Sequence, residues 1–161
     1  MKNLPSVSLQ TALTLTEWSE RTMRRRLAEG ILQTVKSALT SNKVMISLND
    51  LQADACIPLP DENLKLLIEA DKGDADAQND LALIFLAHGK YKSAVYWLEA
   101  AAKQNCADAM HLLGCRYLTG EGLVKDDNLA MIWIAKAASL EHSIACAQMK
   151  KLAIKKTKPT T

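Results

Sequence analysis

The residues from which catalytic and metal sites are built are few in this chain, and they are scattered. Its four cysteines, Cys56, Cys106, Cys115 and Cys146, never stand at C-x-x-C spacing, so neither a zinc knuckle nor a redox pair is spelled out. Cys106, Cys115 and Cys146 fall where helices are expected, and buried free thiols in a reducing compartment are the expected state. The histidines, His88, His111 and His142, sit in separate elements, so no catalytic triad is readable either. No run of eighteen apolar residues occurs, and no charged, apolar and small series opens the chain as a secretory signal would. The expectation is a cytoplasmic protein with no catalytic residue, metal, cofactor or membrane partner.

What is present is ordinary in amount and unusual in arrangement. The 161 residues, 48% hydrophobic and 24% charged, suit one or two small globular domains. A net charge of +2 hides a division: residues 1–60 carry seven basic and five acidic side chains, residues 61–142 eight and thirteen, and residues 143–161 five and none. An acidic middle thus lies between two basic ends. Pro58 and Pro60 mark the first change, because two prolines so close exclude a continuous helix.

The acidic middle is written twice. Ala77-Gln78-Asn79-Asp80-Leu81-Ala82 recurs in kind as Ala109-Met110-His111-Leu112-Leu113-Gly114, 32 residues later, and Ala94-Val95-Tyr96-Trp97 recurs as Ala130-Met131-Ile132-Trp133, 36 residues later. The difference lies in the turn, which is long at Gly120–Asp127 and short at Gly89-Lys90. A period of this size signals stacked helix pairs, each unable to bury its apolar stripe alone. Trp97 and Trp133 are expected to fill space between the layers as core side chains.

The wording resembles the Sel-one-like repeat, a relative of the tetratricopeptide repeat, at Leu113-Gly114-Cys115-Arg116-Tyr117, Gly120-Glu121-Gly122-Leu123-Val124-Lys125-Asp126, Ala130-Met131-Ile132-Trp133 and Ala137-Ala138. The first copy has Ala82 in place of glycine and lacks the Gly-x-Gly loop, so its turn is expected to be tighter. Two copies need caps. A half repeat is expected at 61–73, full repeats at 75–105 and 107–141, and a capping helix at 144–154, together an α-solenoid over 58–154 followed by a disordered basic tail, 155–161. Positions that keep the helical spacing but differ between copies, Asn79, Asp80 and Leu83 in the first and His111, Leu112 and Arg116 in the second, are free of stacking and become candidate protein-binding residues.

Residues 1–57 follow another rule. Ser8 can cap a short helix with Leu9, Ala12 and Leu13 on one face, and a second helix begins near Ser19. In that helix Met23 and Leu27 point inward while Arg21, Arg24, Arg25 and Ala28 share an outer face, with Arg26 beside them. Gly30 ends it, and apolar residues from Ile31 to Leu39 meet Val44-Met45-Ile46 across a turn, a hairpin wing with Lys43 at its tip. Ser47-Leu48-Asn49-Asp50 has capping-box spacing for a third helix. This order resembles the winged helix-turn-helix of MerR-type regulators and excisionases, carried by Ser19, Thr22, Arg25, Gly30 and Asn49-Asp50-Leu51.

The fold expected is therefore mainly α: a small winged helix-turn-helix with a β-hairpin wing, then a short α-solenoid. Two function classes stay open. In the first, Ser19, Arg21, Thr22, Arg24, Arg25, Arg26, Lys36 and Lys43 hold double-stranded DNA for a transcriptional regulator whose repeats recruit a protein or self-associate, since guanidinium groups on one helix face suit phosphates and guanine edges. In the second, the helix-turn-helix is degenerate and the chain is a protein-interaction adaptor.

Overall fold

A computed structural model describes residues 5–35 and 44–157, with side chains through Ala153. The chain opens with β1 (Ser6–Ser8), α1 (Leu9–Thr16), α2 (Glu20–Ala28), β2 (Thr34–Val35), β3 (Met45–Ser47) and α3 (Leu48–Leu51). Helix α1 begins where the Ser8 hydroxyl accepts the Thr11 N–H at 3.3 Å, and it stops where Glu17 turns left-handed at φ 54°. Three of its buried residues are threonines, poor helix formers. Thr14 and Thr16 donate their hydroxyls to the Thr11 and Ala12 carbonyls at 2.8 and 2.9 Å, so no buried hydroxyl there is left unpaired. Helix α2 begins at Ser19, whose hydroxyl accepts the Thr22 N–H at 3.1 Å, and buries Met23 completely.

The three strands form one antiparallel sheet in the order β1-β3-β2, with Val7 opposite Ile46 and Ile46 opposite Thr34. Strand β1 is an addition to the sequence reading, in which Ser8 serves only as a cap; it does both. The hairpin strand begins at Thr34 rather than Ile31, because the N–H groups of Ile31 and Leu32 turn back to the Arg26 carbonyl at 3.0 and 3.4 Å and close the end of α2. Nor does the expected capping box form. Ser47 makes no side-chain cap bond, Asp50 accepts the Gln33 N–H at 2.8 Å instead, and α3 is a four-residue helix that passes into a 3-10 turn at Gln52–Asp54. Lys36 and Lys43 lie outside the described residues.

Six further helices follow: α4 (Asp61–Lys72), α5 (Ala75–Ala87), α6 (Tyr91–Ala102), α7 (Ala107–Thr119), α8 (Asp127–Ser139) and α9 (Ser143–Thr157). Helix α4 covers the segment expected as a half repeat, α5–α6 and α7–α8 cover the two copies, and α9 covers the segment expected as a capping helix. Helix α9 passes beyond 154 because Lys155 and Lys156 are compatible with helix, whereas Pro159 would not be. Residues 158–161 of the expected tail lie outside the described residues.

The two copies differ as their turns require. Three residues, His88–Lys90, join α5 to α6, whereas seven, Gly120–Asp126, join α7 to α8. In the long turn Gly122 adopts φ +83° and a Cβ there would sit 2.5 Å from the Tyr91 carbonyl oxygen, so only glycine lets the loop pass the start of α6. Gly114 serves a different purpose. A Cβ on it would meet Ile134 Cγ1 at 2.7 Å and the Ala130 carbonyl oxygen at 3.0 Å, so α7 and α8 approach backbone to side chain.

The tryptophans do not share one role. Trp133 is partly buried, with the Lys136 ammonium 4.4 Å from its ring centre. Trp97 is buried, but it faces the N-terminal segment: its indole N–H donates to the Thr14 hydroxyl at 3.2 Å. Ser93 donates to the Thr14 carbonyl at 2.7 Å, Cys56 N–H to the Leu15 carbonyl at 2.8 Å, and Lys90 pairs with Glu17 at 3.0 Å. On α4, Asp71 accepts the Ser8 N–H at 2.9 Å and the Ser8 hydroxyl at 2.5 Å, and also the Thr11 hydroxyl. One apolar core runs through from Val7, Ala12 and Leu15 to Leu67, Phe85, Leu98, Leu113 and Ala145. Among the described residues no helix is long and apolar enough to cross a membrane.

Candidate functional site

The first helices of successive repeats carry the variable positions. On α5 the residues Asp76, Asp80, Leu83 and Ala87, spaced four, three and four apart, are all exposed, and Leu83 is 43% exposed despite being aliphatic. Thirty-two residues on, Asp108 and Thr119 are exposed on α7, with Leu112 and Cys115 half-buried between them. On α9 the same face continues with exposed Ile144 and Lys151 and half-buried Gln148. The surface is acidic at one corner, from Asp76, Asp80 and Asp108, and apolar at its centre, from Leu83, Leu112 and Cys115.

The six residues singled out from the sequence divide on this surface. Asp80 and Leu83 are exposed on it. Leu112 packs partly on the core, and Asn79 and His111 are buried. Asn79 keeps its side-chain oxygen buried without a hydrogen-bond partner among the described residues. Arg116 is occupied locally: its guanidinium donates to Glu121 at 2.6 Å, and the Thr119 hydroxyl joins the same carboxylate at 3.1 Å, which fixes the long turn.

His111 leads to a cluster that the scattered histidines of the sequence did not announce. Its ring stacks on His142, with centres 4.5 Å apart, and its Nε2 lies 3.2 Å from the Gln148 side-chain oxygen and 3.7 Å from the Cys115 sulfur. His142 Nδ1 accepts the Ala145 N–H at 3.1 Å and so caps α9, leaving Nε2 to donate to Asp108 at 3.1 Å. Burial, and then the neighbouring His142, hold the His111 pKa below its ordinary value. Repeat spacing was the available signal, since Cys106 at the start of α7 and His142 at the start of α9 are equivalent by the 36-residue offset. Two of the thiols are structural by contrast. Burial, and then Glu17, push Cys56 up to about 11, and burial raises Cys115, so neither offers a ready thiolate.

The arginine face of α2 is exposed at Arg21, Arg24 and Arg25, with Ser19 exposed and Thr22 half-buried beside it. Two of its three charges are met within the helix: Arg24 donates to Glu20 at 2.8 and 2.5 Å, and Arg25 lies 3.8 Å from Glu29. Arg26 is turned away from that face, 4.0 Å above the Trp18 ring and 3.5 Å from Asp54. The structure thus brings Ser19, Arg21, Thr22, Arg24 and Arg25 together and gives Arg26 a packing role.

Comparison with known proteins bears on the repeats. The Sel1 repeat profile matches residues 75–106 and 107–142. A protective antigen present in uropathogenic Escherichia coli strains, displaying an SLR fold, is similar in structure at a TM-score of 0.54 with 32% identity, over 59% of this chain and 21% of that one. A Sel1 repeat protein from Oxalobacter formigenes is similar at a TM-score of 0.50 with 34% identity, over 54% of this chain and 26% of that one. The chain thus spans roughly a fifth to a quarter of the length of these structures. No curated protein matches it.

Proposed function

We propose that the chain is an interaction adaptor, a binding rather than catalytic protein, that presents the α5 and α7 face of its Sel1 repeats to a protein partner. The observation that carries this reading is Leu83. An aliphatic side chain 43% exposed, set between Asp80 and Ala87 on a helix whose other face is buried, contributes little to the stack and has the surroundings of a binding anchor. Half-buried Leu112 extends the apolar centre, and the two aspartates of α5 give the surface a sign that selects a partner with basic residues beside an apolar one. The test is affinity capture with the full chain and with Leu83→Asp. Under this reading the variant keeps its helical circular dichroism and loses the captured protein. A variant that captures the same protein at the same yield ends the reading.

A second reading, sequence-specific DNA binding by a transcriptional regulator, is favoured by one observation: Arg21, Arg24 and Arg25 share an exposed face of a second helix that the antiparallel strands β2 and β3 follow. Glu20 and Glu29 weaken it by occupying two of the three guanidinium groups. Duplex retention measured against salt distinguishes the readings, because neutralising Z phosphates gives a slope of about −0.9Z on logarithmic axes. An adaptor shows no such retention at any salt.

A further inference from the structure

We propose that a cleft between the N-terminal segment and helices α4, α5 and α6 binds a cation carried on an apolar stem, an ammonium or guanidinium group. The cleft, about 420 Å3 in volume, is walled by Leu9 and Gln10 of α1, Asp71 of α4, Gln78 of α5, and Tyr96 and Trp97 of α6. That volume lies in the range of roughly 300–1,000 Å3 usual for small-molecule sites, and junctions of this kind are where such sites form. It is separate from the α5 and α7 surface and does not depend on that surface binding a protein.

Charge and shape select the ligand. Asp71 is half-buried, and its carboxylate accepts only neutral donors, the Ser8 N–H at 2.9 Å, the Ser8 hydroxyl at 2.5 Å and the Thr11 hydroxyl. Among the described residues no cation is paired with it, and its negative charge is met only by these neutral donors at the start of α1. An anionic ligand is repelled there, and a neutral apolar one would desolvate the carboxylate further without replacing what it lost. Tyr96 is 38% exposed and meets Trp97 edge to face at 5.1 Å, giving an aromatic wall beside the carboxylate. Burial and the nearby Asp71 raise the Tyr96 phenol, which keeps it neutral and available as donor or acceptor. Gln78 cannot turn into the space as a substitute partner, since it donates to the Ala70 carbonyl at 3.1 Å and accepts from Gln104 at 2.9 Å. A cation with an apolar stem suits this lining: its charge meets Asp71, its head lies against Tyr96, and its stem covers Leu9 and Trp97.

The source is either a free amine or a Lys or Arg side chain, and the test separates them. The full chain, labelled with 15N, is titrated with 2-phenylethylammonium, with its neutral counterpart 2-phenylethanol, and with N-acetyl-lysine methylamide. The expected result is saturable amide shifts at Ser8 and Thr11 and at the Trp97 indole, with the alcohol bound at least tenfold more weakly than the ammonium. Saturation by the phenylethylammonium alone assigns the cleft to a small amine; saturation by the blocked lysine assigns it to a side chain; either upholds the cation site. Tyr96→Leu should weaken binding roughly threefold to thirtyfold with the rest of the spectrum unchanged. Asp71→Asn should weaken it at least tenfold; because Asp71 also holds Ser8 and Thr11, the Tyr96 variant decides if this one unfolds. Equal binding of ammonium and alcohol, no saturable shift with any probe, or an affinity unaltered in Tyr96→Leu would overturn the proposal.

Discussion

Gly114→Ala tests the helix packing of the second repeat in a way the first repeat has already answered. The new methyl carbon would lie 2.7 Å from Ile134 Cγ1, closer than a Cβ tolerates, and 3.0 Å from the Ala130 carbonyl oxygen, tight enough that α8 must give slightly. The carbonyl belongs to the α8 backbone and cannot swing aside as the end of a flexible side chain could. Overpacking of this kind costs about 1–3 kcal/mol. Alanine in place of glycine within a helix returns about 1 kcal/mol of backbone entropy, so the net loss is about 0–2 kcal/mol. For a chain of this size that is a fall in Tm of up to roughly 8 °C. In the first repeat the equivalent pair is Ala82 with Leu98, both fully buried, where a Cβ is accommodated facing a side chain not branched at its own Cβ. Combining Gly114→Ala with Ile134→Leu therefore installs a pair the fold already accepts. The assay is urea unfolding of the four proteins of the double-mutant cycle. The expected coupling is about 1 kcal/mol in favour of the double variant relative to the summed singles. Strict additivity, or a rise in stability from Gly114→Ala alone, would refute the close approach of α7 and α8.

Four further outcomes follow from the same contacts. His111 is held below its usual value by burial and by His142, so below pH about 6.5 the unfolded chain takes up the proton more readily than the folded one. Stability should therefore decline from pH 7 to 5.5, and His111→Gln should flatten that slope; an unaltered slope contradicts the assignment. Asp71→Ala removes the acceptor of the Ser8 N–H and of two hydroxyls, which should cost about 1–3 kcal/mol in denaturant titration, while a cost below about 0.5 kcal/mol would mean the tie is dispensable. Cleavage between Asp54 and Glu62 should leave residues 1–57 bound to the repeats in gel filtration, because Thr14 holds Ser93 and Trp97 across the cut; separation of the fragments would argue for independent domains. Arg24→Glu with Arg25→Glu turns two i,i+4 attractions into repulsions and should lower stability by no more than about 1–2 kcal/mol, so a collapse of the fold would show that these arginines are structural.

The sequence disclosed what is local and periodic. Helices α4 to α9, the shorter turn after α5 and the Ser8 and Ser19 caps all follow from spacing and short-range chemistry. The junction did not, because it rests on contacts between residues sixty to eighty-three positions apart, such as Ser8 with Asp71 and Thr14 with Trp97. A tryptophan at a repeat position reads as stack core. Trp97 is core as expected, and only the docked α1 shows that it serves the junction as well, while its counterpart Trp133 remains partly open. Likewise the spacing Ser47 to Asp50 reads as a capping box until Gln33, seventeen residues upstream of Asp50, claims the carboxylate. The candidate surface was half legible. Departure from the repeat identified Asp80 and Leu83, which are exposed, but the same criterion selected His111 and Arg116, whose variable side chains serve the next helix and the next turn.

The central claim is that the α5 and α7 face of the repeats meets another protein, and photo-crosslinking tests it at the surface itself. A benzoylphenylalanine in place of Leu83 is compared with one in place of Ile132, which is 49% exposed on α8, away from that face. The account predicts a discrete covalent protein adduct from position 83, absent from position 132 and diminished when Asp80→Lys is added. No adduct at 83 with a clear one at 132 would contradict it.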